Sequence, residues 1–402
     1  MPKRRARRLE PDAPLNSGTV RSLEPDNAGD RQLALGLSVN KRPRFPTTLP
    51  DARPPFPLPD LWIRLAPAVP TEAYETYWRF AAERQAVFFR RLNNAPPPWT
   101  SDPILGRYKF TNAYRASDRV SQFLIRYVIY AGNYDVNDTF FRLLFFKVFN
   151  KLETWQLIES QLGDISWRNY SFKHYDRILT DAMARGTRIY SAAYIMPSGR
   201  LGGEVEPTKH RFHLRLLEQM MRDDVPMRMG AMRSMREAFG LLRSYPSIGD
   251  FLAYQFVTDV NYSELTSFSE CEFVQPGPGA LDGIRKCFAS LGGLSETEVI
   301  RFMADRQEAE FDRLGLKFQT LWGRRLQLID CQNVFCEVGK YARVRHPDIA
   351  GVSDRKRIKQ HFAPKREPLI VWYPPKWHIN ELIAADSMLG WPRMITGDER
   401  QV

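Results

Sequence analysis

Helical spacing governs most of this chain. From "TEAYETYWRFAAERQAVFFRRLNN" (residues 71–94) onward, apolar residues return every three or four positions, and no alternation of strand and helix patterns is found. In that first segment Tyr74, Trp78, Ala81, Phe88 and Leu92 fall near one face, and Thr71 is placed to cap the helix. Two further runs, "ASDRVSQFLIRYVIYAG" and "NDTFFRLLFFKVFNKLETWQLIESQLG", each open on a capping residue and close near glycine. Strand signals are confined to the short pieces "TRIYSAAYIM" and "LIVWYPP". The expected class is therefore mainly α. With 402 residues, 43% of them hydrophobic, the chain can bury one large core or two ordinary ones. The absence of a fixed-period repeat favours one large helical domain over residues 61–345.

The flanks read differently. Residues 1–60 are rich in Pro, Arg, Asp and Ser with little apolar periodicity, so a disordered basic tail is expected there. Its start, "MPKRRARR", suits a nuclear address, a nonspecific nucleic-acid contact or a plain solvated terminus. Residues 346–402 form a basic extension expected to pack on the domain. Lys and Arg outnumber Asp and Glu by 58 to 46, a formal charge of +12, which favours an anionic partner, nucleic acid before an acidic membrane surface. The basic residues between Lys340 and Lys376 suit a nucleic-acid backbone.

No run of about 18 apolar residues exists, and no apolar run follows the arginine-rich start, so neither a membrane span nor a secretory signal is expected. Cys271, Cys287, Cys331 and Cys336 lack paired spacing, which points to a reducing, intracellular setting and no zinc site. That means cytoplasm or nucleoid in a bacterium, nucleus in a eukaryote. There is no GxxxxGK[ST] phosphate loop, and GPGALDG does not fit a dinucleotide glycine pattern, so no cofactor is expected.

Polar residues inside apolar helices carry the remaining signal. A helix over 250–262 follows the break "YPSIG" and repeats Phe251, Leu252, Phe256, Val257 and Val260; Asp259 lies two turns from Leu252, on the same side. A carboxylate there costs several kcal/mol unless it is paired or put to use. Gly249 and the unpartnered N–H groups after it can hold a phosphate. Asp330, Asn333 and Glu337 share one face of one helix, with Lys340 a turn further on, and read as a polar pocket wall or a solvated face. Asn112 and Tyr114 suit base contacts and Arg115 and Arg119 suit phosphate, with Asp118 among them, or the motif is a helix N-terminus with an Asp–Arg surface pair. Gly277 and Gly279 can bring backbone close to a ligand, or simply turn the chain.

Two resemblances give these residues a context. "SYPSIGDFLAYQF" resembles the helix-hairpin-helix of DNA glycosylases, whose Leu-Pro-Gly-hydrophobic-Gly turn grips the DNA backbone; Pro246, Ile248 and Gly249 match it, and Ser247 replaces its first glycine. In that family a catalytic Asp follows the second glycine at a spacing that lands here on Glu270, not on Asp259. Where bifunctional members carry a Lys, this chain has Phe251, which implies water rather than an amine as nucleophile. More of the chain, roughly 100–345, is similar to the glycosylase-related helical family acting on hypermodified phage DNA. The motifs are "RYKFTNAYRASDRVSQFLI", "YQFVTDVNYSELTSFSECEFVQPGPGALDGIRKCF" and "LQLIDCQNVFCEVGKYARV". That family includes the helical domain of hydroxymethyluracil DNA kinases, the glutamyl/putrescinyl-thymine pyrophosphorylases, and phage-defence glycosylases that excise glucosylated hydroxymethylcytosine.

The resemblance implies a helix-hairpin-helix, glycosylase-like helical domain bound to DNA with modified pyrimidines. The preferred expectation is a monofunctional DNA glycosylase, a hydrolase acting on a flipped base, with Asp259 or Glu270 as its catalytic carboxylate. The alternatives are a transferase acting on hydroxymethyluracil-derived thymine and a module that binds modified DNA without chemistry.

Overall fold

The first helix, α1 (Glu72–Leu92), starts where its cap requires: the Thr71 side chain accepts from the Ala73 N–H at 3.1 Å. Glu72 and Glu75 in its first turn and Arg90 and Arg91 in its last suit the helix dipole. Tyr77 and Trp78 on its inner face are fully buried, Trp78 edge-on to Tyr74 and Phe311. Burial of side chains this large contributes about 1.5–3 kcal/mol each. The computed structural model describes residues 67–193, 196–364 and 368–383. The tail expected over 1–60 and the end of the basic extension lie outside those residues.

After α1 come α2 (Pro103–Arg107), α3 (Arg119–Phe123) and a wide π turn over Leu124–Ile129. Next are α4 (Val136–Phe149), α5 (Leu152–Leu162) and α6 (Phe172–Ala184). The run expected as one helix from residue 137 is two, because Asn150 turns left-handed at φ 48° and ends α4. The cap of α4 is Asp135, whose carboxylate accepts from the Asp138 N–H at 2.8 Å.

The second half holds α7 (Lys209–Arg222), α8 (Val225–Gly230), α9 (Met235–Arg243) and α10 (Asp250–Val260). It continues with α11 (Pro278–Cys287), α12 (Glu296–Arg313) and α13 (Leu328–Arg345). The described residues are thus mainly helical. Strands are two or three residues long: β1 (Val69–Pro70), β2 (Arg200–Leu201), β3 (Glu204–Val205) and β4 (Phe288–Ser290). β1 pairs antiparallel with β4, and β2 with β3. Among the described residues neither expected strand segment forms one. Residues 187–193 and 196 bend and loop, and residues 369–374 run without a ladder partner.

Two helical groups build the core. α1 packs on α11, α12 and α13, while α4 packs on α7, α8 and α10. The tightest crossing is α11 on α13, at Gly283 and Gly339. A Cβ on Gly283 would lie 1.9 Å from the Phe335 carbonyl oxygen, so backbone meets backbone there. Beyond α13, Val371, Trp372 and Tyr373 are buried against the helices.

Candidate functional site

The three polar motifs of the sequence meet in space, but they grip one another. The segment Thr111–Asp118 lies along the polar face of α13. Glu337 accepts from the Thr111 N–H at 2.9 Å, Asp330 accepts from the Arg115 N–H at 2.8 Å, and Asn333 donates to the Asn112 carbonyl at 2.8 Å. Asp330 also accepts from the Gln327 N–H at 3.0 Å, capping α13. The expected pocket wall is therefore occupied by the protein's own backbone. Asp118 closes the segment by accepting from the Asn112 N–H at 2.7 Å. Burial pushes the carboxyls of Asp118 and Asp330 up, to about 7 and about 6. Lys340 pairs with Glu337 at 2.7 Å, and Arg119 is exposed at the start of α3.

Arg115 and Asp259 form a second, deeper tie. Asp259 is 0% exposed; one carboxylate oxygen meets Arg115 at 2.7 Å and the other meets Lys147 at 2.9 Å. Arg115 also donates to Gln255 and to the Tyr262 hydroxyl. Burial alone would raise the Asp259 carboxyl, but the two cations overcome it and hold the group below the ordinary carboxylate value. Two expectations are corrected here. Asp259 does not face a ligand, because its cations and the core enclose it. Arg115 does not reach a phosphate, because its guanidinium serves that carboxylate.

Tyr114, expected to hold a base, is 1% exposed. Its hydroxyl instead fastens a tight turn, donating to the Arg324 carbonyl at 2.5 Å and accepting from the Leu321 N–H at 3.2 Å. That turn forms one wall of an open cleft of about 510 Å³, lined among others by Trp322, Arg324, Arg325, Gln327, Trp377 and His378. The opposite wall, Pro375–Trp377, is anchored by Lys376, which donates to the Ser263 and Thr266 carbonyls at 2.7 and 2.6 Å. Behind it, Tyr373 stacks on Trp377 and shares a 2.8 Å hydrogen bond with the Ser117 hydroxyl. Glu270 borders the cleft through Arg324, at 2.7 Å, and the Arg324 guanidinium lies 3.8 Å over the Trp377 ring. Indole faces beside arginines suit stacking and anion contact. Sequence reading passed over Trp322, Arg324, Trp377 and His378, although "LWGRR" and "PPKWH" interleave aromatic and basic residues.

The glycines divide. A Cβ on Gly277 would lie 2.8 Å from the Phe251 ring, and one on Gly279 2.3 Å from Cys336 Sγ. Their close approach is to the protein itself, which corrects the reading of a ligand cradle. Between α9 and α10, Ser247 takes the left-handed conformation, φ 63°, and its hydroxyl donates to the Ser198 carbonyl at 3.1 Å. Gly249 stays extended at φ −79°, and a Cβ there would meet nothing within 4 Å. The N–H groups opening α10 receive no side-chain cap. Among the described residues no group of His, Cys, Asp and Glu is arranged to hold a metal, and no helix is long and apolar enough to cross a membrane.

Comparison with known proteins bears on this geometry. A family model described as the helical domain of 5-hmdU DNA kinase matches residues 71–351. A 5-hmdU DNA kinase of Bacillus phage SP10 is 24% identical over 336 residues, which cover 79% of this chain and 51% of that protein. The chain thus spans about half the length of the curated relative it matches. No solved structure matches. The expectation of a DNA glycosylase, and of a hydrolase, is overturned by these matches, since one is described as a kinase and the other as the helical domain of one, and a kinase transfers a phosphoryl group. The hydrolytic roles expected of Asp259 and Glu270 fall with it.

Proposed function

This chain belongs to the family of the 5-hmdU DNA kinase helical domain, and on that premise we propose that it holds DNA containing 5-hydroxymethyluracil for phosphoryl transfer to the base's hydroxymethyl group. The observation that carries this reading is the match over residues 71–351, which takes in the α9–α10 turn, the 111–118 segment and α13 together. A net charge of +12 supports a DNA partner. The reading gives these residues the substrate-holding part of the reaction, and the remaining half of the phage relative lies outside the match.

Within this reading α9, its turn and α10 act as a helix-hairpin-helix on the DNA backbone. Support comes from Ser247, which adopts the left-handed backbone that a glycine would otherwise supply, and from the exposed, uncapped start of α10 beside Gly249. Arg119, exposed, adds charge for a phosphate, whereas Lys340 stays paired with Glu337. Asn112, Asp118, Asp330, Asn333 and Glu337 serve by fixing the 111–118 segment rather than by touching DNA.

The test compares duplexes carrying thymine, 5-hydroxymethyluracil or 5-hydroxymethylcytosine at one position. Competition binding is expected to favour 5-hydroxymethyluracil, and alkali afterwards should leave the strands intact. Mass spectrometry of the digested nucleosides after incubation with ATP reads whether the chain transfers phosphoryl by itself. Equal affinity for thymine and 5-hydroxymethyluracil, or strand breaks in alkali, would sink the reading.

A further inference from the structure

The turn Leu321–Arg324 is built against the grain of its sequence. Leu321 and Arg324 exchange two backbone hydrogen bonds of 3.1 Å, so Trp322 and Gly323 are the two central residues, with φ of 50° and 89°. Both positions favour glycine or asparagine. A tryptophan held left-handed costs on the order of 1–3 kcal/mol, and such outliers gather where a side chain is needed in one place. His378, across the cleft, is left-handed too at φ 52°. The two walls are tied down independently, one by the Tyr114 hydroxyl and the other by Lys376. Between them the Arg324 guanidinium, a flat cation, lies 3.8 Å over the flat Trp377 indole, as a nucleic-acid base would lie.

We propose that this cleft receives one nucleotide turned out of the DNA stack, its base lying on Trp377 where the Arg324 guanidinium now lies, with Arg324 and Arg325 moving to its phosphate. Trp322, packed on Phe89 and Tyr373, lines the same cleft, and Tyr114 is a positioning residue that holds the Trp322 turn in register. The proposal rests on the reading that the chain holds DNA, but not on which base is modified. An unstacked nucleotide is the fitting occupant because every base has a π face and every nucleotide an anionic phosphate, which match the two chemistries of the cleft.

The experiment uses the full chain with a short oligothymidylate single strand, and with the same strand carrying one 5-hydroxymethyluracil. Affinity and intrinsic tryptophan fluorescence are read for the wild type, Trp377→Ala, Trp377→Phe and Trp322→Asn. Asparagine tolerates the left-handed backbone, so Trp322→Asn removes the ring while keeping the turn. Wild-type fluorescence is expected to quench on binding. Trp377→Ala and Trp322→Asn should each weaken binding roughly 5- to 100-fold, with Trp377→Phe restoring most of the loss. Wild-type affinity in both Trp377→Ala and Trp322→Asn overturns the proposal, as does a wild type that binds neither strand. If binding depends on Trp377 but thymine and 5-hydroxymethyluracil strands bind alike, the cleft stands and the substrate reading falls. If 5-hydroxymethyluracil is preferred with no dependence on either tryptophan, the cleft alone falls.

Discussion

Replacing Asp259 by asparagine keeps its shape and removes its charge, which turns the most enclosed ion cluster of the fold into a measurable quantity. In the native protein one carboxylate faces two cations, Arg115 at 2.7 Å and Lys147 at 2.9 Å, and the three side chains are 1%, 6% and 3% exposed. Without the carboxylate, two buried positive charges face a neutral amide with little water to screen them. Breaking a buried pair from one side costs about 3–5 kcal/mol, because the partner's charge is left uncompensated. Arg115 keeps Gln255 and Tyr262, and Lys147 keeps Asn150, so the lower half of that range is expected. At about 1.5 °C per kcal/mol for a domain of this size, Asp259→Asn should melt roughly 4–6 °C below wild type at neutral pH. Adding Lys147→Met removes one of the stranded charges, so the double variant should recover part of the loss. The carboxyl is held below its ordinary value, so its stabilisation is complete above pH of about 4 and fades as the pH falls through the folded value. The gap between wild type and variant must therefore narrow in acid. The assay is circular-dichroism melting at several pH values. A variant melting within a degree or two of wild type at pH 7 would refute the reasoning.

The opposite sign applies to Asp118 and Asp330, whose carboxyls burial raises to about 7 and about 6. Their contribution grows as the pH falls from about 8 to about 4, and Asp118→Asn should show less of that rise in urea midpoints. Gly249→Val should fold normally, since its φ of −79° suits any residue and its Cβ meets nothing within 4 Å. Its DNA affinity should nevertheless drop about tenfold, read by electrophoretic shift, if a phosphate sits on the N–H groups there. Gly283→Ala should lose about 1–3 kcal/mol or more in denaturant unfolding, because the α11–α13 crossing has no room for a methyl group. Binding to any duplex should fall on the order of 10³-fold between 50 and 200 mM salt if several phosphates are neutralised, and a flat salt response would count against a DNA partner.

Local chemistry was legible in the chain before folding. The Thr71 cap, the α10 face and the alignment of Asp330, Asn333 and Glu337 follow from hydrogen-bonding rules and a 3.6-residue period, which need no knowledge of neighbours. The left-handed Asn150 was missed because residue type only weakly constrains φ, so one apolar run became two helices. What the polar faces point at was a tertiary matter. Nothing near Asp259 in sequence announces Arg115 or Lys147, and periodicity cannot tell a carboxylate awaiting a ligand from one already paired. The same limit hid the cleft, since Trp322 and Trp377 come to line it together only after the residues beyond α13 fold back on the helices. A spacing measured along the chain singled out Glu270, but distances through space place Arg324 between it and Trp377. Period and capping act over a few residues and are written in the sequence, whereas pairing and enclosure act between distant residues and exist only once the chain has closed on itself.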